Sequence, residues 1–379
     1  MGMDDRDRGD RGDRGGGRAP GSLRLAGLRV ALHPLDYLLL AAPVAAAAQV
    51  AHWSGVLLFF ASGLAIVPLA RLIGAATEEL AGRVGAAAGG LLNATFGNAT
   101  ELIIAVVALE ADRADVVKAS LVGSILGNVL TVLGLSFALG GARRERQYFD
   151  RTAASAAGAQ LAVAAFGLLI PAVLAGTQAV RPAAMEGLSL ATAVMLLLGY
   201  GAGLLFSLRT HAHLYTEEQE AAMHGPGWGV RNSVVVLLLA TAGVAFLSDW
   251  LVAGVTPVTV GLGWTPVFVG VILVALIGNA AEHASAVTVA TRGQMDLSLS
   301  IALGSAAQIA LFVAPVLVLL GLILGHPMDL LFDTFEVAAV VIAVALVNLL
   351  INDGESTWLE GVQLLVVYAI LAVAFFVHH

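Results

Sequence analysis

Two glutamates stand where a carboxylate is expensive. Glu101 lies in GGLLNATFGNATELIIAVVAL and Glu282 in VGVILVALIGNAAEHASAVTVA, and neither stretch contains Lys or Arg. An ionised acid inside such a run must take up a proton or find a cation, because hydrocarbon does not solvate it. Asn98 and Asn279 precede the glutamates by three residues and Gly97 and Gly278 by four, one helical turn, so amide and carboxylate oxygens share a face. The glycines expose backbone carbonyls and permit local unwinding. That oxygen-rich set suits a hard cation such as Ca²⁺, which takes about six to eight oxygen ligands, and two carboxylates balance one divalent charge. The expected metal ligands are therefore Glu101, Glu282, Asn98 and Asn279, with protons and Ca²⁺ competing for the same pair.

Compared with itself at an offset of 181 residues, the chain aligns GNATE (97–101) with GNAAE (278–282), Asp115 with Asp296, and Gly123-Ser124 with Gly304-Ser305. The repeating unit is thus a pair of helices. Ser124 and Asn128 in one copy, and Ser305 and Gln308 in the other, add oxygens from the second helix of each pair. His283 follows Glu282 and has no counterpart, since Leu102 occupies the matching place; a histidine there can assist proton transfer or gating. Glu78, Glu79 and Asp249, nearer the expected ends of their spans, are candidates for a funnel leading to the site.

The elements that position these residues must be membrane helices. Hydrophobic residues make up 59% of the 379 and charged residues 12%, against about a quarter charged in soluble domains. The 43 glycines suit close helix packing. Cysteine is absent, which excludes disulfides and thiolate chemistry. Runs long enough for a bilayer, about 20 residues, fall near 35–52, 54–74, 86–109, 115–139, 153–175, 185–208, 231–252, 264–290, 297–325, 332–351 and 356–377.

Eleven crossings put the termini on opposite sides. With the N terminus cytoplasmic, all Lys and Arg except Arg113, Lys118 and Arg181 fall inside, as the positive-inside rule requires. Five spans separate the third from the eighth, so the two copies cross in opposite senses. The expected fold is an all-α polytopic membrane protein with 11 transmembrane helices, one N-terminal helix plus two inverted five-helix repeats, a design used by secondary transporters with a site near the midplane. Its expected parts are a disordered cytoplasmic tail (1–30), a first helix (31–53), an N-terminal repeat (54–208), an acidic cytoplasmic connection (209–230) carrying Glu217, Glu218 and Glu220, and a C-terminal repeat (231–379).

GNATE and GNAAEH, each opening a helix pair, resemble the signature repeats of the cation/proton exchanger family within the Ca²⁺/cation antiporter superfamily. IVPLARLIGAATEELAGRVG, GSILGNVLTVLGLSF, LGSAAQIALFVAPVLVL and NDGESTWLEGVQLLVVYAILAVAFF are similar to it as well, so the resemblance covers nearly everything after the tail. It implies Ca²⁺/H⁺ exchange by alternating access, with coordination centred on Glu101 and Glu282, no cofactor, and no catalytic residues. The implied partners are Ca²⁺, protons and the lipid bilayer, with a homo-oligomer as an option and no nucleic acid. It implies a plasma membrane location in a bacterium or a vacuolar one in a eukaryote. Neither repeat carries the proline that the sodium-driven branch places before its acidic residue, which favours protons over a Na⁺-coupled or K⁺-coupled exchanger. A channel with an acidic filter fits one inverted pair less well, and no HExxH or Ser/Lys pairing supports an intramembrane enzyme.

Overall fold

The computed structural model of the chain describes residues 22–25, 28–31, 33–84, 86–177, 182–215 and 227–378. Among these, nine helices are long and apolar enough to cross a membrane. The helical elements are α1 (Pro34–Val50), α2 (Gly55–Val84), α3 (Ala86–Phe96), α4 (Ala99–Glu110), α5 (Ala114–Gly141), α6 (Arg151–Gly176), α7 (Ala184–Thr210), α8 (Val230–Leu262), α9 (Pro266–Thr291), α10 (Met295–Leu324), α11 (Thr334–Asp353) and α12 (Trp358–Val377). The chain is an integral membrane protein of helical class.

Three expectations change. The run at 86–109 is not one helix: it breaks at Gly97-Asn98 into α3 and α4. In the tail, Ser22–Leu25 and Leu28–Ala31 pair as antiparallel strands with Leu25 opposite Leu28. The rest of the expected tail, residues 1–21, and the acidic residues Glu217, Glu218 and Glu220 lie outside the described residues. Finally, α2 and α8 run well past the spans expected for them. Their 30 and 33 residues make helices of about 45–50 Å at 1.5 Å per residue, longer than hydrocarbon thickness demands. Hydropathy marks only the part that must be apolar, so Asp249 sits well inside α8, while Glu78 and Glu79 lie in the last two turns of α2.

Helix starts follow local chemistry. Asp150 accepts from Ala153 N (2.7 Å) to cap α6, Thr265 accepts from Phe268 N (3.0 Å) ahead of Pro266 in α9, and Asp333 with Glu336 forms a capping box on α11. The 181-residue offset holds in three dimensions. Helices α4 and α9 end at Glu110 and Thr291, and α5 and α10 begin at Ala114 and Met295. In the turns between them, Arg113 N donates to Ala108 O (2.9 Å) and Gln294 N to Val289 O (3.1 Å). Asp112 and Gly293 take positive φ at the same place, 57° and 87°. Both second helices then widen into π-helical turns, Gly127–Val132 and Ile309–Val313, features often found at functional sites.

Contacts between connections sort into two sets. One joins Arg71 to Asp36, Arg146 to Glu355, Asp150 to Asp296, and Gly227 to Glu79. The other joins Asp112 to His326, Lys118 to Asp329, Arg113 to Thr256, and Thr265 to Phe375. These are the two groups that strict alternation of spans places on opposite faces.

One packing contrast is sharp. A Cβ on Gly123 of α5 would fall on the backbone carbonyl of Val271 in α9, whereas a Cβ on Gly304, its counterpart in α10, would meet nothing within 4 Å. Gly123→Ala is therefore expected to lower stability by about 1–3 kcal/mol through overpacking and Gly304→Ala to leave it nearly unchanged; unfolding midpoints in detergent compare the two directly.

Candidate functional site

Glu101 occupies the first turn of α4, just after the break at Gly97-Asn98. Asparagine and glycine there supply a natural interruption: Gly97 N still donates to Asn93 O (2.7 Å) and Leu102 N to Asn98 O (3.0 Å), so the chain resumes as a helix at once. Gly278, by contrast, lies in regular helix within α9. Unwinding was expected at both glycines and occurs at one. Gly278 contributes closeness instead: a Cβ there would stand 3.4 Å from Cγ and Oε1 of Glu101. The first carboxylate thus lies against the backbone of the helix that carries the second, one turn before Glu282. The two acids are near enough to interact electrostatically.

Around them the amides cross between copies. Asn98 Nδ2 donates to Gln308 Oε1 of α10 (2.5 Å), and Asn279 Nδ2 donates to Ser124 Oγ of α5 (2.8 Å) and to Ala275 O (2.9 Å). Each signature helix therefore reaches the second helix of the other copy. Asn128 Nδ2 donates to Ser305 Oγ (3.1 Å) and, at 3.5 Å, approaches Asn279 Oδ1. Ser305 in turn hydrogen bonds Glu282. Asn98, Ser124, Asn128, Asn279 and Ser305 are all buried. The π-helical turns begin beside this network, at Gly127 and Ile309, and His283 faces the first of them: its Cε1 would lie 3.5 Å from a Cβ on Gly127.

Several buried atoms here have no hydrogen-bond partner: Glu101 Oε2, Glu282 Oε2, Asn98 Oδ1, Asn128 Oδ1 and His283 Nε2. Four are oxygens, and they belong to the three helices α4, α9 and α5 and to the turn at Asn98. Unmade hydrogen bonds on buried groups cost about 1–3 kcal/mol each, so this concentration of bare acceptors marks a place built for a guest. Among the described residues no group of three or more His, Cys, Asp or Glu gathers as a metal cluster. A cation placed here would meet two carboxylates and neutral oxygens.

The suggested funnel residues are placed differently from one another. Glu79 is buried and committed: Arg83 donates to Oε1 (2.5 and 3.0 Å) and Gly227 N to Oε2 (2.7 Å), which ties the end of the α7–α8 connection to α2. Glu78 and Asp249 are exposed on α2 and α8. Asp150, Gln160 and Asp296 line a cavity of about 250 Å³ beside α10; the first two carry no motif, and Asp296 stands out in the sequence only as a repeat match.

A helical membrane protein with paired carboxylates, each with one buried oxygen that lacks a partner, between two copies of one motif is the class these observations define. The family model described as sodium/calcium exchanger protein matches residues 54–209 and 232–377. A Ca(2+)/H(+) antiporter of Synechocystis is 46% identical over 358 residues, covering 90% of this chain and 96% of its own. A vacuolar calcium ion transporter of Schizosaccharomyces pombe is 40% identical over 346 residues, covering 90% and 84%. The solved structure of native YfkE has a TM-score of 0.80 at 38% identity and covers 91% of this chain and 100% of that one. The chain belongs to the sodium/calcium exchanger protein family, in its cation/proton exchanger branch.

The amide network should be felt in stability. Asn279→Ala removes two buried donor contacts and is expected to cost about 1–3 kcal/mol, seen as a lower unfolding midpoint, while Asn232→Ala, exposed at the start of α8, should leave the midpoint in place.

Proposed function

We propose that this chain exchanges Ca²⁺ for H⁺ by alternating access, with Glu101 and Glu282 holding either the metal ion or protons. One observation carries the reading: the Glu101 carboxylate lies against Gly278 of the Glu282 helix, with one oxygen of each acid buried and unpartnered. Two carboxylates that close repel each other when bare. A divalent cation or a pair of protons relieves that repulsion, and each guest removes the reason for the other. Coupling then needs no further device. Asn98, Asn279 and the carbonyls near Gly97 and Gly278 complete the oxygen set, Ser124, Asn128, Ser305 and Gln308 hold those amides in register, and His283 serves proton movement beside Gly127.

The relatives from Synechocystis, a Ca(2+)/H(+) antiporter, and Schizosaccharomyces pombe, a vacuolar calcium ion transporter, support calcium as cargo, and the former supports protons as counter-ion. The architecture we infer is one helix plus two inverted five-helix repeats, eleven crossings in all, with α3 and α4 counted as one. Matched turns and π-helical segments at the 181-residue offset support the repeat, and the two non-mixing sets of loop contacts support alternation. Basic residues then put the N terminus in the cytoplasm and the C terminus on the other side.

Glu101→Gln and Glu282→Gln keep the side chain's size and remove its charge. In proteoliposomes each is expected to reduce Ca²⁺-driven proton movement at least about a hundredfold while the protein still folds and inserts. Exchange at the wild-type rate in either variant would remove that residue from the mechanism.

A further inference from the structure

Asp249 is an intramembrane acid that the paired-glutamate site does not use. Helix α8 buries Val244, Leu251, Val255 and Val258 in one cluster with Phe59 of α2 and Ile104 of α4. Its opposite side exposes Leu239, Phe246, Asp249 and Val260, which at 3.6 residues per turn fall on a single stripe. That stripe meets lipid. The depth of Asp249 follows from Thr256, which accepts from Nη2 of Arg113 (3.0 Å) and so stands level with the α4–α5 turn. Asp249 is seven residues nearer the start of α8 on the other face, two turns or about 10 Å deeper. Among the described residues it has neither a hydrogen bond nor an ion pair. An acid at such a depth, turned outward and alone, is costly and marks a function.

Arg113 has the complementary vacancy. The Nε and Nη2 groups of an arginine form a two-pronged edge that fits a carboxylate, as Arg71 shows by donating from both to Asp36. Thr256 offers one hydroxyl and fills one prong; Arg113 Nε is buried and has no partner. Thr256 and Asp249, seven residues apart, share a side of α8, and Val252 and Ala253 between them carry no polar group. A shift of α8 toward the face of the α4–α5 turn, by up to two turns, therefore takes Arg113 from a hydroxyl to a carboxylate without a polar stop between. Little opposes it. Among the described residues the side-chain hydrogen bonds of α2 and α8 to other elements go to α1 and to the α7–α8 connection, and Arg113–Thr256 is the exception. The two helices are tightly joined to each other, with Gly55 on Pro257, Gly254 on Phe59 and Gly243 on Leu69, so they travel as a pair. At 30 and 33 residues both are longer than the hydrocarbon requires, which leaves length to slide.

We propose that Asp249 is the second partner of Arg113: as α8 shifts toward the face of the α4–α5 turn, Arg113 leaves Thr256 and takes the Asp249 carboxylate on both prongs, and this ion pair holds the displaced state. The proposal rests on the exchange reading for the need of two states and on Arg113, Thr256 and Asp249 for what distinguishes them. Asp249 touches neither the cargo nor the glutamates and is a positioning residue. Glu110 and Asp115, the other exposed acids beside Arg113 in sequence, need no movement of α8 to reach it, yet neither fills its edge.

A double-mutant cycle on calcium flux in proteoliposomes tests the pairing. Arg113→Gln and Asp249→Asn are each expected to slow flux about tenfold or more, and the double variant no further than the slower single, because both remove the same ion pair. Exchanging the charges, Arg113→Glu with Asp249→Lys, should restore at least about a third of the parent rate while each single reversal stays slow, which a merely structural role for either residue does not produce. Glu110→Gln and Asp115→Asn should remain within about twofold of the parent. If the Asp249→Lys chain does not insert, the neutral cycle decides alone. A parent-like rate in Asp249→Asn, losses that multiply to about a hundredfold in the neutral double, or non-additivity of Arg113 with Asp115 or Glu110 in place of Asp249 would overturn the pairing. Calcium flux indifferent to a pH gradient in the unmodified chain would defeat the exchange reading instead, and the same cycle measured on that flux would still decide the pairing.

Discussion

Everything in this molecule answers to the repulsion between two acids that share a low-dielectric space without a hydrogen-bond partner for every oxygen. An ionised side chain at a helix centre costs at least about 2.5–3.5 kcal/mol on insertion scales, and a second one nearby adds to that. Among the described residues no ion pair neutralises Glu101 or Glu282: those of Arg71, Arg83, Lys118 and Arg146 all lie elsewhere. The cost is left for a mobile ion to offset. A protein that filled the site with its own lysine would be more stable and could carry nothing.

The rest of the fold holds that arrangement in place without relieving it. Small residues let α9 and α5 touch backbone to backbone at Gly123 and Val271, and the amides of Asn98 and Asn279 bind across to the opposite copy rather than to the acids. Ion pairs and capping boxes stay with the connections, where water screens them and where they fix which loops lie together. Interior polar groups position; peripheral ones fasten. Gly123 is covered by Val271 whereas its counterpart Gly304 is open, so the two copies pack differently.

Much of this was legible in the residues. Lone acids in apolar runs, the GNATE and GNAAE match and its continuation to Ser124 and Ser305 were enough to pair Glu101 with Glu282 and to name the asparagines, because intramembrane charge is rare and repeats preserve spacing. Less visible was the difference between the copies. Gly97 and Gly278 read alike, yet one sits in a break and the other in regular helix against a carboxylate, and only the neighbouring helix decides which. The π-helical turns leave no compositional mark. Hydropathy found where α2 and α8 must be greasy but not where they end, and it could not show that Glu79 is tied to Gly227, 148 residues away. The cavity that Asp150 and Gln160 line belongs to no single segment, so no motif marks it.

The competition between proton and metal ion is tested most directly by adding Ca²⁺ to the purified, detergent-solubilised protein in weak buffer and recording protons released against calcium bound. Release that tracks occupancy, and shrinks when either glutamate is replaced by glutamine, is the result expected from one shared site. Calcium bound to the wild-type protein with no proton leaving would contradict it.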